Sequence, residues 1–244
     1  SVTPDFVLVT PAARLETTTA AATWSGRVGP RVARGRAEAA LADLSVLSGL
    51  VGRPLKGRAR LAADVEGDPG RYRVAAKLDG GVDGLSVGVA PLDRVLAGRL
   101  ALTGTVNRLP GGVGFDGFRL AGGHATLALD GPATSDAANL TASLDIADLR
   151  RADARLSGAL AVRALLAGSL MQPDVDATAA VRGWAGGGAE PRVALKGRLG
   201  ERIDISATLQ AIPLALSALV APDLGLAGTL EGLSLIHISE PTRL

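Results

Sequence analysis

The segment Gly57–Gly80, GRARLAADVEGDPGRYRVAAKLDG, alternates between small apolar residues and charged residues along most of its length. In its first half the apolar residues fall at every second position: Ala59, Leu61, Ala63 and Val65. Successive side chains of a β-strand point to opposite faces, so a period of two predicts strands with one apolar and one solvated face. The segment therefore predicts two such strands, separated by the Gly- and Pro-containing stretch in its middle.

The same alternation recurs from residue 99 to residue 210, and turn signals such as Pro110-Gly111-Gly112 interrupt it at intervals of about ten to twenty residues. It assigns these residues to an apolar face: Leu100, Leu102, Val106, Leu127, Leu129, Leu140, Leu144, Ile146, Val193, Leu195, Ile203, Ile205 and Leu209. It predicts that these residues point the opposite way: Arg99, Thr126, Asp145, Arg192 and Asp204.

The predicted helices are short and cover Ala37 to Leu50, Pro91 to Ala97 and Ile212 to Ala221. Several Leu-rich segments, such as APLDRVLAGRLALTGTV, lead into a glycine and then into a strand, but their spacing is irregular. An uncovered apolar sheet face would promote aggregation, so the sheet must curl around an interior. The sequence therefore predicts an all-β fold, an elongated curled sheet of irregular β repeats whose interior is either filled by side chains or open to an apolar ligand.

The composition limits the chemistry of the chain. Of its 244 residues 47% are hydrophobic but only 2% are aromatic, so Leu, Val and Ala must supply the buried area that aromatic residues often provide. A net charge of +2 gives little reason to expect a nucleic-acid partner. The absence of cysteine excludes disulfides and cysteine-ligated metal, and it fits a cytosolic or a periplasmic location.

Two short motifs resemble catalytic or cofactor-binding signatures. Gly84–Gly88 has the spacing of a nucleophile elbow around Ser86, for which Asp116 and His124 would supply the order of a hydrolase triad. Residues 112–117, GVGFDG, match the spacing of a dinucleotide-binding loop. Neither motif leads into a long helix or a parallel-sheet pattern, so we expect ordinary strands and turns and no enzyme, metal site or cofactor.

The segment GRVGPRVARGR concentrates four arginines within ten residues or so: Arg27, Arg31, Arg34 and Arg36. Nucleic-acid grooves combine such charge with stacking aromatic residues, and only Trp24 is near. We expect a solvated strand face here, with contact to acidic lipid headgroups as the alternative.

Three segments, IPLALSALVAPDLGLAGTLEG, DLSVLSGLVGRPLKGRARLAADVEG and GSLMQPDVDATAAVRG, resemble repeats of the TamB family, within the AsmA-like group of Gram-negative envelope proteins. The most specific phrase joins Pro213-Leu214-Ala215-Leu216, Pro222-Asp223-Leu224 and Gly228-Thr229-Leu230. The resemblance covers most of residues 37 to 232 and is weakest before residue 35.

The resemblance implies a curled β-sheet that is open along one side and lined by an apolar groove. Such proteins bridge the periplasm from an inner-membrane anchor, here expected upstream of the chain, and are associated with moving phospholipid towards the outer membrane. The expected partners are phospholipid acyl chains and an outer-membrane β-barrel assembly protein of the TamA or BamA kind. Small residues on the apolar face, such as Ala59, Ala63, Ala177 and Ala179, leave width for an acyl chain.

Two other functions compete with this lipid-transport hypothesis. The first is an assembly factor for outer-membrane proteins that offers a sheet edge to client strands by β-augmentation. The second is a purely structural β-repeat protein with a side-chain-filled interior and no ligand. Neither needs an enzymatic site.

The chain ends in LSLIHISEPTRL, whose composition differs abruptly from the preceding residues. Leu233 to Arg243 is similar to the translation of a transposon-derived sequencing adapter. We therefore expect residues 1–232 to be an internal fragment of a repetitive β-groove region and residues 233–244 to be an artefactual tail without a fixed place in the sheet. No function is assigned to His237 or Glu240.

Overall fold

The computed structural model describes residues 7–186, 188–200, 202–214 and 228–239. These residues form an all-β protein with a few short helices. The strands are β1 (Leu8–Glu16), β2 (Ala20–Gly29), β3 (Val32–Leu41), β4 (Lys56–Asp68), β5 (Arg73–Ser86), β6 (Arg99–Leu109), β7 (Gly112–Ala121), β8 (Ala125–Thr134), β9 (Ala138–Ile146), β10 (Ala159–Ser169), β11 (Gln172–Arg182), β12 (Arg192–Arg198), β13 (Arg202–Pro213) and β14 (Thr229–Ser239). The α-helices are α1 (Ser48–Val51) and α2 (Ala90–Val95), and 3₁₀ turns span Leu44–Leu47, Pro69–Arg71 and Leu149–Arg151.

The strands follow one another in chain order in a single antiparallel sheet. Among the described residues β1 pairs with β2 alone and β14 pairs with β13 alone, so the sheet is not closed. The predicted all-β class with short helices is thus confirmed. No helix in the described part of the chain is both long and apolar enough to span a membrane.

The chain divides into two compact units. Unit 1 contains β1–β7, and unit 2 contains α2 and β8–β14.

In unit 1 the strand register sorts the residues onto two faces, because directly opposed residues of antiparallel strands share a face. Leu61 pairs with Gly80, which pairs in turn with Leu102, so all three lie on the apolar face. Arg60 and Asp64 lie on the opposite, polar face and are exposed. This confirms the alternation predicted for the segment Gly57–Gly80.

In unit 2 the register joins apolar residues into rows that run across the strands. One row contains Leu127, Leu144, Val162, Ala179, Val193 and Leu209, each paired with the next from β8 to β13. Strands lie about 4.8 Å apart, so the five spacings of this row extend over about 24 Å. A parallel row contains Leu129, Ala142, Ala164, Ala177, Leu195 and Ala207.

The connections at the two ends of the strands differ in length. Because neighbouring strands are antiparallel, successive connections alternate between the two ends. One end, here called the packed end, carries the long connections, which are residues 42–55 in unit 1 and 147–158 and 183–191 in unit 2. The other end, here called the tight-turn end, carries residues 30–31, 69–72 and 110–111 in unit 1 and 135–137 and 170–171 in unit 2.

Most buried hydrophobic residues lie at the packed end. Leu149, Ala152 and Leu156 of the connection 147–158 are almost completely buried, as are Val95 of α2 and Leu44 of the connection 42–55. Two of the Leu-rich segments recognised in the sequence lie at this end: DLSVLSGLVGRPL occupies the connection 42–55, and APLDRVLAGRL begins in α2 and continues into β6. Their helices are too short to cover the sheet, and they bury Leu44, Val95 and Leu100 at this end of the strands.

The predicted short helices are correct only in part. In the range predicted over Ala37 to Leu50, the 3₁₀ turn Leu44–Leu47 and most of α1 confirm the second half. Residues Ala37–Leu41 belong to β3 and not to a helix, because pairing with β2 on one side and β4 on the other outweighs the helix propensity of alanine and glutamate. The segment Pro91–Ala97 overlaps α2. Of the third prediction, residues 212 and 213 lie in β13 and residues 215–221 lie outside the described residues.

The prediction that the tail has no fixed place in the sheet is wrong for residues 233–239; residues 240–244 lie outside the described residues. Residues Leu233–Ser239 extend β14 and pair with β13, with Leu233 opposite Thr208 and Leu235 opposite Ser206. Backbone hydrogen bonds do not depend on side-chain identity, so an alternating apolar segment can add to an available strand. The side chains fit the faces poorly, because Leu233 and Leu235 are 69% and 64% exposed on the polar face.

Candidate functional site

The apolar face is the candidate site, and the structure brings the predicted residues of each unit onto it. In unit 2 these are Leu127, Leu129, Leu140, Leu144, Ile146, Val193, Leu195, Ile205 and Leu209. In unit 1 they are Leu100, Leu102 and Val106. Ile203 is paired through its backbone with Ile238, and its side chain lies outside the described set. That this face lines a lipid groove stays a prediction.

Most of these side chains are only half-buried. Leu102, Val106, Leu144 and Leu195, for example, retain partial exposure, although they lie in strands with neighbours on both sides. Leu100 and Ile146 differ, with exposures of 1% and 4%, because they lie next to the packed end. Leu100 and Ile146 therefore belong to the core, whereas the other side chains of the apolar face leave part of their apolar surface exposed to solvent.

The polar face carries cross-strand ion pairs. In unit 1 Arg36 Nη1 lies 3.1 Å from Asp64 Oδ1. In unit 2 Arg198 Nε lies 2.8 Å from Asp174 Oδ1, and Arg163 Nη2 lies 3.0 Å from Asp145 Oδ1. The hydrogen bond from Arg198 lowers the pKa of Asp174 and keeps it ionised. Exposed ion pairs of this kind add little to the free energy of unfolding. They keep this face of the sheet hydrated, and they disfavour strand registers that would place like charges opposite each other.

The outward residues predicted from alternation lie on the polar face. The register places there Arg99, Thr126, Asp145, Arg192 and Asp204. Surface depressions also occur on this face. One in unit 2, of about 700 Å³, lies among Asp174, Asp176, Lys196 and Arg198. Cross-strand ion pairs between these side chains form part of its wall, and Leu165 and Ala167 form another part.

At the packed end of unit 2, polar contacts hold the connection 147–158 in place. Arg94 of α2 donates two hydrogen bonds to the carbonyl oxygen of Ala152, one of them from Nε at 3.0 Å. The Asp153 carboxylate accepts hydrogen bonds from the side chain and the backbone N–H of Arg155, which lower its pKa to about 2. These contacts fix the segment whose leucines form the core.

The catalytic motifs lie in a context that differs from that of the enzymes they resemble. Ser86 ends β5, Asp116 lies in β7 and His124 precedes β8, and all the strand pairs named above are antiparallel. A nucleophile elbow requires a strand, a sharp turn and a helix that packs on a parallel sheet. Residues 112–117 form the beginning of β7 rather than the start of a helix. Within the described residues no group of three or more His, Cys, Asp or Glu could hold a metal ion.

Sequence reasoning missed several residues of the apolar face. Trp24 lies there, and a Cβ added to Gly35 would be 2.8 Å from its ring atom Cζ2. Phe115 and Phe118 contact each other edge to face, with ring centroids 5.6 Å apart. Arg108 also lies on this face, opposite Val74. Counting by two from Leu102 and Val106 along β6 would have placed Arg108 on this face, but a charged residue is ordinarily expected on the solvated face.

Fold and site together define an all-β protein with a two-faced, unclosed sheet whose apolar face is incompletely covered. Comparisons with protein-family models, with curated proteins and with solved structures found no match to this chain.

Proposed function

We propose that the chain is a non-enzymatic, lipid-conducting segment of an envelope protein that resembles the TamB family. In this proposal phospholipid acyl chains lie on the apolar face. The intact protein carries phospholipid across the periplasm between the inner and outer membranes, from an inner-membrane anchor upstream. An outer-membrane β-barrel assembly protein of the TamA or BamA kind is its partner.

The observation that carries the proposal is the unbroken apolar row in unit 2. From Leu127 to Leu209 every residue of the row is aliphatic, and the row extends over about 24 Å. An acyl chain occupies half of a hydrocarbon core that is about 30 Å thick, or about 15 Å. The row is therefore long enough for one chain to lie across the strands.

The energetics favour lipid over a specific polar ligand. Each methylene that leaves water gains about 0.8 kcal/mol, so a chain of many methylenes needs no polar anchor to bind. The half-buried side chains of the row, among them Val162 and Val193, expose apolar surface that such a chain would cover. The ion pairs on the opposite face would keep the sheet in water while the apolar face is occupied.

The assembly-factor hypothesis has one observation in its favour, because among the described residues β1 and β14 each have a partner strand on one side only. Of the two, β1 carries Pro11 and a register shift between Thr10 and Ala13. Proline and bulges discourage further pairing at an edge. This edge therefore supports β-augmentation less well than the apolar face supports lipid binding.

Adjacent residues on opposite faces provide matched tests. We would introduce aspartate at Leu102 on the apolar face and at Thr103 on the polar face, and measure lipid co-purified per mole of protein. A charge among acyl chains cannot be solvated or paired, so Leu102→Asp should reduce the lipid content strongly and Thr103→Asp should not. Circular dichroism would verify that both variants retain their β content.

A second pair tests unit 2 in the same way. Ile205→Arg on the apolar face should lower the lipid content, whereas Thr208→Arg on the polar face should leave it unchanged. Equal lipid content in the members of both pairs would contradict the proposal. If the wild-type protein carries no lipid and binds none from vesicles, the structural β-repeat hypothesis is favoured. If a client strand can be crosslinked along β1, the assembly-factor hypothesis is favoured.

A further inference from the structure

Arg108 is an exception on the apolar face of unit 1. It pairs with Val74 of β5 on one side and Val113 of β7 on the other, both apolar. Along the paired positions from β2 to β7, apart from the bulged start of β4, it is the one charged residue that the register places on this face. The polar face already keeps the sheet in water, so a single charge on the apolar face suggests a different role for Arg108.

The contacts of Arg108 leave much of its guanidinium available. Its Cζ lies 5.9 Å above the centroid of the Tyr72 ring, and its Nη1 donates a hydrogen bond of 3.4 Å to the carbonyl oxygen of Gly112. Within the described residues it forms no ion pair with a carboxylate, in contrast to Arg34 and Arg36 on the polar face. A guanidinium has five N–H donors, so several remain for a ligand.

The position of Arg108 is the margin of the apolar face. It is the second-last residue of β6, close to the tight turn at residues 110–111. The neighbouring turns of the same end are joined by a 2.7 Å hydrogen bond from Gly70 N–H to the Pro30 carbonyl, and they carry Arg31 and Arg71. Tyr72 is 59% exposed at this end. The margin is therefore basic and wet, beside an apolar surface.

We propose that Arg108 binds the phosphate of a phospholipid whose acyl chains lie on the apolar face, with Tyr72 holding the guanidinium in position. The proposal rests on the proposed function and adds the headgroup to it. A guanidinium matches two oxygens of a phosphate through paired hydrogen bonds. Val74 and Val113, its partners across the strands, would contact the first methylenes of the chains.

The test uses the full chain and two lipids with identical acyl chains. Dioleoyl phosphatidylglycerol has a phosphate, and dioleoylglycerol lacks it. Arg108→Gln should weaken binding of the phosphatidylglycerol about tenfold and leave dioleoylglycerol unchanged, whereas Arg108→Lys should retain part of the affinity because it keeps the charge without the paired geometry. Arg60→Gln is the matched control, since it removes the same charge from the polar face of the same unit.

The outcomes separate the two proposals. If both lipids bind and Arg108→Gln affects neither, or affects both equally, the headgroup proposal is wrong and the lipid-conducting function stands. If neither lipid binds the wild-type protein, the proposed function itself fails. If glycerol phosphate alone competes with the full lipid at equal concentration, Arg108 is a site for free phosphate, which would also overturn the headgroup proposal.

Discussion

The two ends of the same strands differ in how much apolar surface they hide. At the packed end of unit 2, Leu149 is 0% exposed and Leu156 is 1% exposed. At the tight-turn end, Leu170 is 39% exposed and Met171 is 79% exposed. One end thus contains an ordinary core and the other does not, although both belong to the same β-ladder.

This difference separates stability from binding. Side chains buried at the packed end contribute about 1.5–3 kcal/mol each relative to exposure, so they can hold the strands together. The rest of the apolar face then need not be covered by the protein to keep the fold. Variants at the packed end should change the free energy of unfolding, whereas variants on the remaining face should change lipid content first.

The largest effect is expected for Leu149→Ala. Truncating a completely buried leucine removes its transfer free energy and leaves a cavity, which costs about 2–5 kcal/mol. Leu170→Ala at the tight-turn end is the control and should cost less than about 1 kcal/mol, because Leu170 is partly exposed. Urea unfolding followed by circular dichroism measures both. Similar losses for the two variants would abolish the contrast between the ends.

A smaller loss is expected for Arg94→Met. The methionine keeps an unbranched apolar stem but removes both hydrogen bonds to the carbonyl of Ala152, a residue with 0% exposure. A buried carbonyl without a partner costs about 1–3 kcal/mol. Arg99→Met, on the polar face of β6, should change the unfolding free energy little. If Arg94→Met were as stable as the wild type, water would have replaced the guanidinium and the connection would be held by its leucines alone.

The third prediction uses pH. Folding lowers the pKa of Asp153 from 3.8 to about 2, so the stabilisation is fully present above pH 4 or so and is lost as the pH falls through about 2. We expect Asp153→Asn to cost about 1–2 kcal/mol at pH 7, reduced by the partial exposure of Arg155. The difference from the wild type should shrink towards zero below pH 2. A difference that is independent of pH would assign the loss to geometry and not to charge.

Much of the sheet could be predicted because its pattern is local. In β4 the alternation of Ala59, Leu61 and Ala63 with charged residues fixes the two faces without knowledge of the partners. The packed end could not be predicted in the same way. Which leucines of ADLRRADARLSG become buried depends on where α2 and the turn at Leu149–Arg151 meet, which is a long-range contact.

The residues of the candidate site also fall into those that the sequence predicts and those that it does not. Aliphatic residues such as Leu129 and Leu195 follow the alternation and were found. Arg108 was missed because a charge in the sequence indicates a solvated face, and only the register shows that it stands opposite Val74. The first part of the helix predicted over Ala37–Leu50 is a strand for a related reason, since local propensity does not include the pairing of β3 with β2 and β4.

The smallest effect is expected for deletion of Leu233–Leu244, where sequence pattern and sheet face disagree. Within β14 the register puts Ser234 opposite Ala207 on the apolar face, and Leu233 and Leu235 on the polar face. Those two leucines gain little from folding, since 69% and 64% of their surface remains exposed. Each backbone hydrogen bond of the edge strand contributes about 0.5–1.5 kcal/mol, and ordering each residue costs about 1–2 kcal/mol, so the two terms nearly cancel.

Deletion should therefore change the free energy of unfolding by less than about 1 kcal/mol, as measured by urea unfolding at pH 7. Replacing Leu233 and Leu235 by threonine in the full chain is the matched control, because it removes the exposed apolar groups but keeps the strand; it should be equally neutral. A cooperative loss of several kcal/mol on deletion, with the control unaffected, would mean that β14 stabilises β13 through its backbone pairing. Residues 233–239 would then be a structural part of the sheet, and the similarity to a translated adapter would be coincidental.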